Sequence, residues 1–489
     1  MLFNSIAYIV FLIPLVLVYY IFPSKWRWTL LLVASVLYYL SFIPVLITVV
    51  AAIILINYIF SNSLRLTKTD RSNRRLALIV LINIAVLAFF KYFNQIFPDI
   101  RIHLYNVDLF YKVNPVNMLV LPLGLSYIVF TVLSYQIEIS RKTIEPVRHL
   151  GHFSLYLLFF PKIAQGPIER PQKFIPQLSQ NHPFSYDYIT EGLKMILIGY
   201  FKKLVVADRL AIYVSAVYNN SEHHGGTALL LATLFFAFQI YADFSGYTDI
   251  AIGSAKLFGF DLTNNFRRPY LAVSVKDFWD RWHISFSTWL RDYIFLPVAY
   301  FLAHRMTNKT YLGIAADKLV YVMAIMLTFA ICGIWHGVGW TFLCWGLLFG
   351  VYLALSNSTK DMQKAIRKRF HIKKNSAVYI IFSIVLTFIL VMIAWIFFRA
   401  TSVQEALNII GKIFSPSWEI FFKPSELGFA VLSIGSLIAM DLKHEFFSGQ
   451  FLVLHSKRFM VRLAGVVLLA VSILLLGVFD GGQFIYFQF

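Results

Sequence analysis

The 489-residue chain is 59% hydrophobic and only 14% charged, and its 48 Phe and 27 Tyr exceed what a soluble core of this length needs. Its formal charge of +19 is scattered over several loops rather than gathered on one face, which argues against nucleic-acid recognition. Apolar stretches of about 17–25 residues recur, the length that carries a helix across hydrocarbon. Lipid cannot hydrogen-bond a bare backbone, so the fold class is all-α: an integral membrane, multi-span helical bundle.

The first apolar run, 6–22, has no cation before it, and Lys25 and Arg27 follow it. That order is wrong for a cleavable signal peptide and reads as a retained helix with its N-terminus outside. Spans are expected at roughly 5–22, 27–42, 44–60, 76–93, 117–137, 192–215, 227–243, 318–334, 339–356, 377–398, 426–440 and 461–479. Segment 61–75 carries Arg65, Lys68, Arg71, Arg74 and Arg75 against Asp70. Segment 356–376 carries Lys360, Lys364, Arg367, Lys368, Arg369, Lys373 and Lys374 against Asp361. Excess Lys and Arg mark cytoplasmic loops. Placing both inside puts 92–116 and 399–425 outside, 138–150 and 441–460 inside, and both termini on the extracytoplasmic side.

The regions 150–190 and 244–312 are neither cleanly apolar nor soluble. Pro161, Gly166, Pro167 and Pro171 break the helix pattern of 159–171. Such backbone is tolerated at membrane depth only when buried in protein or lining a wet cavity. Short re-entrant or interfacial helices around a central tunnel satisfy that condition.

Two constellations could carry chemistry. The run Trp279 to Leu290 can form one amphipathic helix on which Trp279, His283, Phe286 and Leu290 share a face, with Asp277 and Arg281 paired on a more polar one. Further on, His336 sits between two apolar spans, flanked by Trp335, Gly337, Gly339 and Trp340. A histidine in an apolar bundle is costly to bury and can move protons near neutral pH. Each has a bland alternative, an interfacial or packing histidine. Asp243 and Asp249 close the span 227–243, where they could pair with Arg267, Arg268, Arg281 or Arg291, or line an ion path. Cys332 and Cys344 read as buried small hydrophobes. The chain has neither metal-ligand spacing nor a phosphate-cradling glycine loop, so a phosphorylated donor would rest on single cations. Arg267, Arg268, Lys276, Arg281 and Arg291 are the densest set.

At these residues the chain resembles the membrane-bound O-acyltransferase family, in the branch of the bacterial alginate and peptidoglycan O-acetylation membrane subunits. The resemblance runs in order through Leu121–Ser126, Phe159–Arg170, Tyr241–Asp249, Asn265–Tyr270, Phe278–Tyr293, Gly333–Gly337, Trp395–Arg399 and Phe484–Phe489. Asp280 departs from it, standing where a basic residue is expected, and 298–310 lacks the usual Gly-Asn-Arg-like turn.

The resemblance implies one membrane domain over 1–489, with N-terminal helices in 1–116, a catalytic core in 117–356 and C-terminal helices in 357–489. It implies that His336 is the catalytic histidine and His283 the second conserved polar position. Trp282, Arg281, Arg291, Asn265, Trp335, Asp243, Ser245 and Tyr247 are the candidates for substrate and donor contacts. The implied reaction moves acetyl from cytoplasmic acetyl-CoA, with no permanently bound cofactor, to an extracytoplasmic acceptor. A secreted or lipid-anchored esterase-like (SGNH) partner would then pass it to a polysaccharide such as alginate or peptidoglycan, in a bacterial cell membrane. The alternatives are D-alanyl, lipid or protein O-acylation within the same family and, from another class, a polysaccharide or ion transporter.

Overall fold

The structure is a computed structural model describing residues 1–65, 69–97, 104–106, 114–116, 120–164, 166–311, 313–415, 417, 424–447 and 453–479. The Phe484–Phe489 motif and parts of the loops 61–75, 92–116, 399–425 and 441–460 lie outside these residues. Among the described residues, eight helices are long and apolar enough to cross a membrane: Pro44–Leu64, Ser72–Ile96, Gly226–Lys256, Ala316–His336, Trp340–Ser358, Ala377–Arg399, Ser425–Phe446 and Phe459–Leu476. Two shorter apolar helices, Ile6–Ile21 and Leu125–Ser140, accompany them. Large apolar side chains such as Leu17, Ile59, Leu81, Phe382, Leu468 and Leu475 stand exposed along them. In water such a surface would aggregate; against lipid it is solvated. This is a multi-pass helical membrane protein.

The expected spans are helical, with three differences. Of the span drawn from 117, residues 117–119 lie outside the described residues, and from 120 on the helix begins at Leu125, after a turn containing Pro122 and Gly124. Gly124 has φ +64°, and a Cβ there would stand 1.9 Å from the Ile163 carbonyl oxygen, so only glycine fits. The span drawn at 192–215 is a longer helical run, Tyr186–Tyr200 and Asp208–Tyr218, joined by a π-helical segment Phe201–Ala207. The span drawn to 243 continues as one 31-residue helix to Lys256, so Asp243 and Asp249 lie within a helix rather than closing it.

The chain divides into two compact units. The first holds Met1–Gly199 with Tyr247–Thr263. Several of its buried polar residues bind one another. Asn57 and Asn83 exchange carboxamide hydrogen bonds at 3.0 Å, and the Gln136 amide donates to the Asn57 carbonyl at 2.8 Å. Such amides hold apolar helices together where no hydrophobic force acts between them. Tyr8 donates to Ser254 at 2.8 Å, and Phe3 stacks on Tyr247 with ring centres 4.6 Å apart. The broken segment after Leu158 is short helices, Phe160–Ile163 and Pro171–Phe174, as the prolines require.

The second unit holds Tyr200–Gly246 and the chain from Asn264 onward. Its central hairpin packs Ala316–His336 against Trp340–Ser358. A Cβ on Gly333 would lie 2.3 Å from the Phe342 carbonyl oxygen, and one on Gly346 2.2 Å from that of Phe329. Those two glycines let the helices touch backbone to backbone, and this fixes where the last turn, with His336, sits.

Candidate active site

His336 is the final residue of the helix Ala316–His336, not part of the turn after it. It is buried among aromatic rings: Trp335 at 4.5 Å, Trp345 at 4.8 Å, Phe398 at 5.4 Å and Phe286 at 6.0 Å between ring centres. Trp395 stacks on Trp345, and Trp282 lies 5.2 Å from Trp395. Rings from four helical segments therefore enclose one imidazole.

The second histidine is presented differently from the amphipathic helix expected over 279–290. The segment is two short helices, Val275–Trp279 and Ile284–Leu290, broken between them. His283 sits at the break with φ +43°. Non-glycine residues take that conformation at a cost of order 1–3 kcal/mol, and such strain collects at functional sites. Neighbouring backbone imposes it. Asn265 accepts from the Ile284 amide through its carbonyl at 2.9 Å and from the Ser285 amide through Oδ1 at 3.1 Å. The Arg267 amide donates to the Arg281 carbonyl at 2.9 Å. The chain is thus gripped before and after His283, and the ring turns toward Phe244 at 4.7 Å and Phe286 at 4.9 Å.

Phe286 therefore lies against both imidazoles. Among the described residues, His283 Nδ1, Asn265 Nδ2, Ser245 Oγ and the indole nitrogens of Trp279, Trp345 and Trp395 are buried without a hydrogen-bond partner. Buried polar atoms are nearly always paired in folded proteins; others without a partner occur elsewhere, such as Thr29 Oγ1 and Gln136 Oε1, but several of this set belong to the rings and loop around the two histidines.

Of the sequence-selected residues, the second unit brings together His336, Trp335, His283, Trp282 and Asn265. Tyr247 belongs to the first unit, against Phe3. The cations singled out for a phosphorylated donor mostly carry their own counterions. Arg268 and Arg281 both bind Glu445, Arg281 also meets Asp277 at 2.9 Å, Lys276 meets Asp280 at 2.7 Å and Arg291 meets Asp292 at 2.8 Å. Arg267 is exposed and has no carboxylate partner among the described residues.

Asp243 binds Lys203 at 2.7 Å, and Lys203 also binds Asp208 at 2.7 Å. Lys203 lies in the π-helical segment, whose wider turn breaks the regular backbone ladder. There the Leu204 carbonyl accepts from the Val478 amide at 3.1 Å, while Arg209 donates to the Leu476 carbonyl at 2.9 Å.

Lys203, Phe244, Trp345, Phe398 and Glu445 were not selected from sequence, and Phe286 entered only as a residue sharing a helix face with His283. A lone cation inside an apolar run could have flagged Lys203. The aromatic residues carry no such signal in a chain this rich in them.

A model of the membrane-bound O-acyltransferase family matches residues 41–403. The chain belongs to this family. It is 32% identical to the probable alginate O-acetylase AlgI of Azotobacter vinelandii over 85% of this chain and 78% of that protein. It is 29% identical to the probable alginate O-acetylase AlgI of Pseudomonas putida over the whole of both chains. It is 29% identical to the peptidoglycan O-acetyltransferase of Helicobacter pylori over 80% of this chain and 73% of that one. The protein is thus a membrane acyltransferase, and His283 and His336 both lie within the matched residues.

One ion cluster bears on this acyltransferase directly. Glu445 joins Arg268, itself at φ +49°, to Arg281, and so closes the loop that ends at His283. Asp441, one turn earlier on the same helix, accepts from Tyr241 at 2.9 Å. Replacing Glu445 by Gln should lower kcat by about tenfold with KM little changed, because small misplacements of a reacting group are costly. Steady-state acyl transfer by the purified variant measures this; wild-type kcat would show the clasp to be dispensable.

Proposed function

We propose that this acyltransferase moves an acetyl group from cytoplasmic acetyl-CoA to a hydroxyl on the outer side of the membrane, serving O-acetylation of a cell-surface polysaccharide. The single observation that carries the reading is a pair of buried histidines, His336 and His283, sharing Phe286 in a chain of this family. The acceptor class is supported by the relatives, whose names are those of alginate and peptidoglycan O-acetylating proteins.

In this reading His336 takes the proton of the acceptor hydroxyl as general base, a role worth about 10²–10⁴-fold. The oxygen attacks the thioester carbonyl, the carbon–sulfur bond breaks, and the thiolate leaves with the proton that the imidazole returns. His283, the Asn265 carboxamide and the Trp345 and Trp395 indoles have unused polar atoms with which to meet the developing oxyanion. Trp282 and Trp335 wall the site. Arg281 and Asp243 act through the ion pairs that hold its frame.

The positive-inside rule gives the direction of transfer. The basic helix Lys360–Arg369 is placed on the cytoplasmic side. Lys318, in the first turn of Ala316–His336, binds Asp361 of that basic helix at 3.2 Å. The 21-residue helix is about 30 Å long, which supports a location of His336 toward the outer face. Acetyl alone needs to cross; the charged CoA head stays inside. A tunnel through the bundle and a secreted or lipid-anchored esterase-like partner complete the scheme.

Purified protein in proteoliposomes, given acetyl-labelled acetyl-CoA, should release CoA and pass label to an added partner or polysaccharide acceptor. His283→Asn, which tolerates the left-handed backbone, should slow this by about tenfold or more at unchanged protein yield. Import or export of an intact solute without CoA release would replace the enzyme reading with a transporter.

A further inference from the structure

The helix Lys360–Arg369 joins two membrane-crossing helices, Trp340–Ser358 and Ala377–Arg399, and so must lie where the bilayer meets water. Its two sides are chemically opposed. Met362, Ile366 and Phe370 recur every four residues and are exposed, Phe370 by 67%. Among the described residues, none covers that stripe. Lys360, Lys364, Arg367 and Lys368 occupy the other side, and Arg369, Lys373 and Lys374 follow at its end. Lys318 is bound to Asp361, and Arg367 leans on Tyr379. Lys364, Lys368, Arg369, Lys373 and Lys374 meet no carboxylate among the described residues.

A soluble protein would not leave an apolar stripe and five uncompensated cations together. A bilayer surface satisfies both, since acyl chains take the stripe while long cationic side chains reach up to the headgroups. Only a negatively charged headgroup layer neutralises the cations. We propose that this helix is an anionic-phospholipid-binding element, with Met362, Ile366 and Phe370 inserted below the headgroups and Lys364, Lys368, Arg369, Lys373 and Lys374 binding their phosphates. The inference is independent of the acyl-transfer chemistry, since none of these residues belongs to the histidine site.

Each cation near an anionic surface strengthens binding about fivefold. The test uses the full-length protein in nanodiscs of phosphatidylcholine alone or mixed with phosphatidylglycerol. Amide hydrogen exchange over 360–374 should slow by about tenfold or more in the anionic discs, and high salt should reduce the effect. Lys364→Gln/Lys368→Gln/Lys373→Gln/Lys374→Gln should exchange alike in both discs, with acyl transfer in detergent unchanged as proof of folding. Phe370→Ser should exchange faster than wild type in both. Equal exchange of the wild type in the two discs would overturn the proposal. So would slowing that appears only when an acidic soluble protein is added.

Discussion

Replacing His336 by Gln should reduce acetyl transfer by about 10²–10⁴-fold, the worth of a positioned general base, while expression and membrane insertion stay normal. Glutamine approximates the imidazole's volume, so the rings of Trp335, Trp345 and Phe398 keep a neighbour to pack on. It cannot accept a proton near neutral pH. Truncation to alanine would confuse lost chemistry with a cavity costing several kcal/mol of its own. The measurement is CoA release and acceptor acetylation by equal amounts of folded wild-type and variant protein. Activity within a few-fold of wild type would refute the base assignment and leave His336 as a packing residue.

Replacing Lys203 by Met should act on stability first. Its ammonium is buried between Asp208 and Asp243, each at 2.7 Å. Removing one member of a buried ion cluster strands the others, at about 3–5 kcal/mol. The same π-helical segment receives the Val478 amide, so the end of the last described helix should loosen with it. A thermal melt in detergent, followed by the monodisperse fraction, should show a clear fall. Lys203→Met/Asp243→Asn should recover part of the loss, because only one of the two stranded carboxylates, Asp208, then remains. An unchanged melt for the single variant would mean that the two aspartates find other compensation.

The two experiments separate what the site does from what holds it. His336 should change rate at constant stability, and Lys203 should change stability. Glu445 falls between them, since it touches no reactant in the proposed reaction yet ties Arg268 to Arg281 around His283.

Much of this was legible in the chain. The apolar runs gave the spans because a helix in lipid must satisfy its own backbone, and composition alone reports that. Trp-His pairs in such runs are rare enough to mark His283 and His336 without coordinates. Other features were not readable. Periodicity from Trp279 to Leu290 fits one amphipathic helix, yet Asn265 and Arg267 draw off the backbone groups around His283 and force a break there. Asp243 seemed to end a span because a carboxylate in lipid is costly; Lys203, forty positions earlier, neutralises it and lets the helix run on to Lys256.

The sequence by itself determined that this is a multi-pass helical membrane protein, its family, and the two histidines on which its proposed chemistry turns. Those follow from local quantities: hydropathy over a span, and residue types at short spacing. Only the tertiary structure decided that Phe286 joins the two imidazoles, that Asn265 and Glu445 hold the His283 loop, and that most of the central arginines are already neutralised. These depend on contacts between residues tens to hundreds of positions apart, and a linear pattern carries no record of which distant side chain will satisfy a buried polar group.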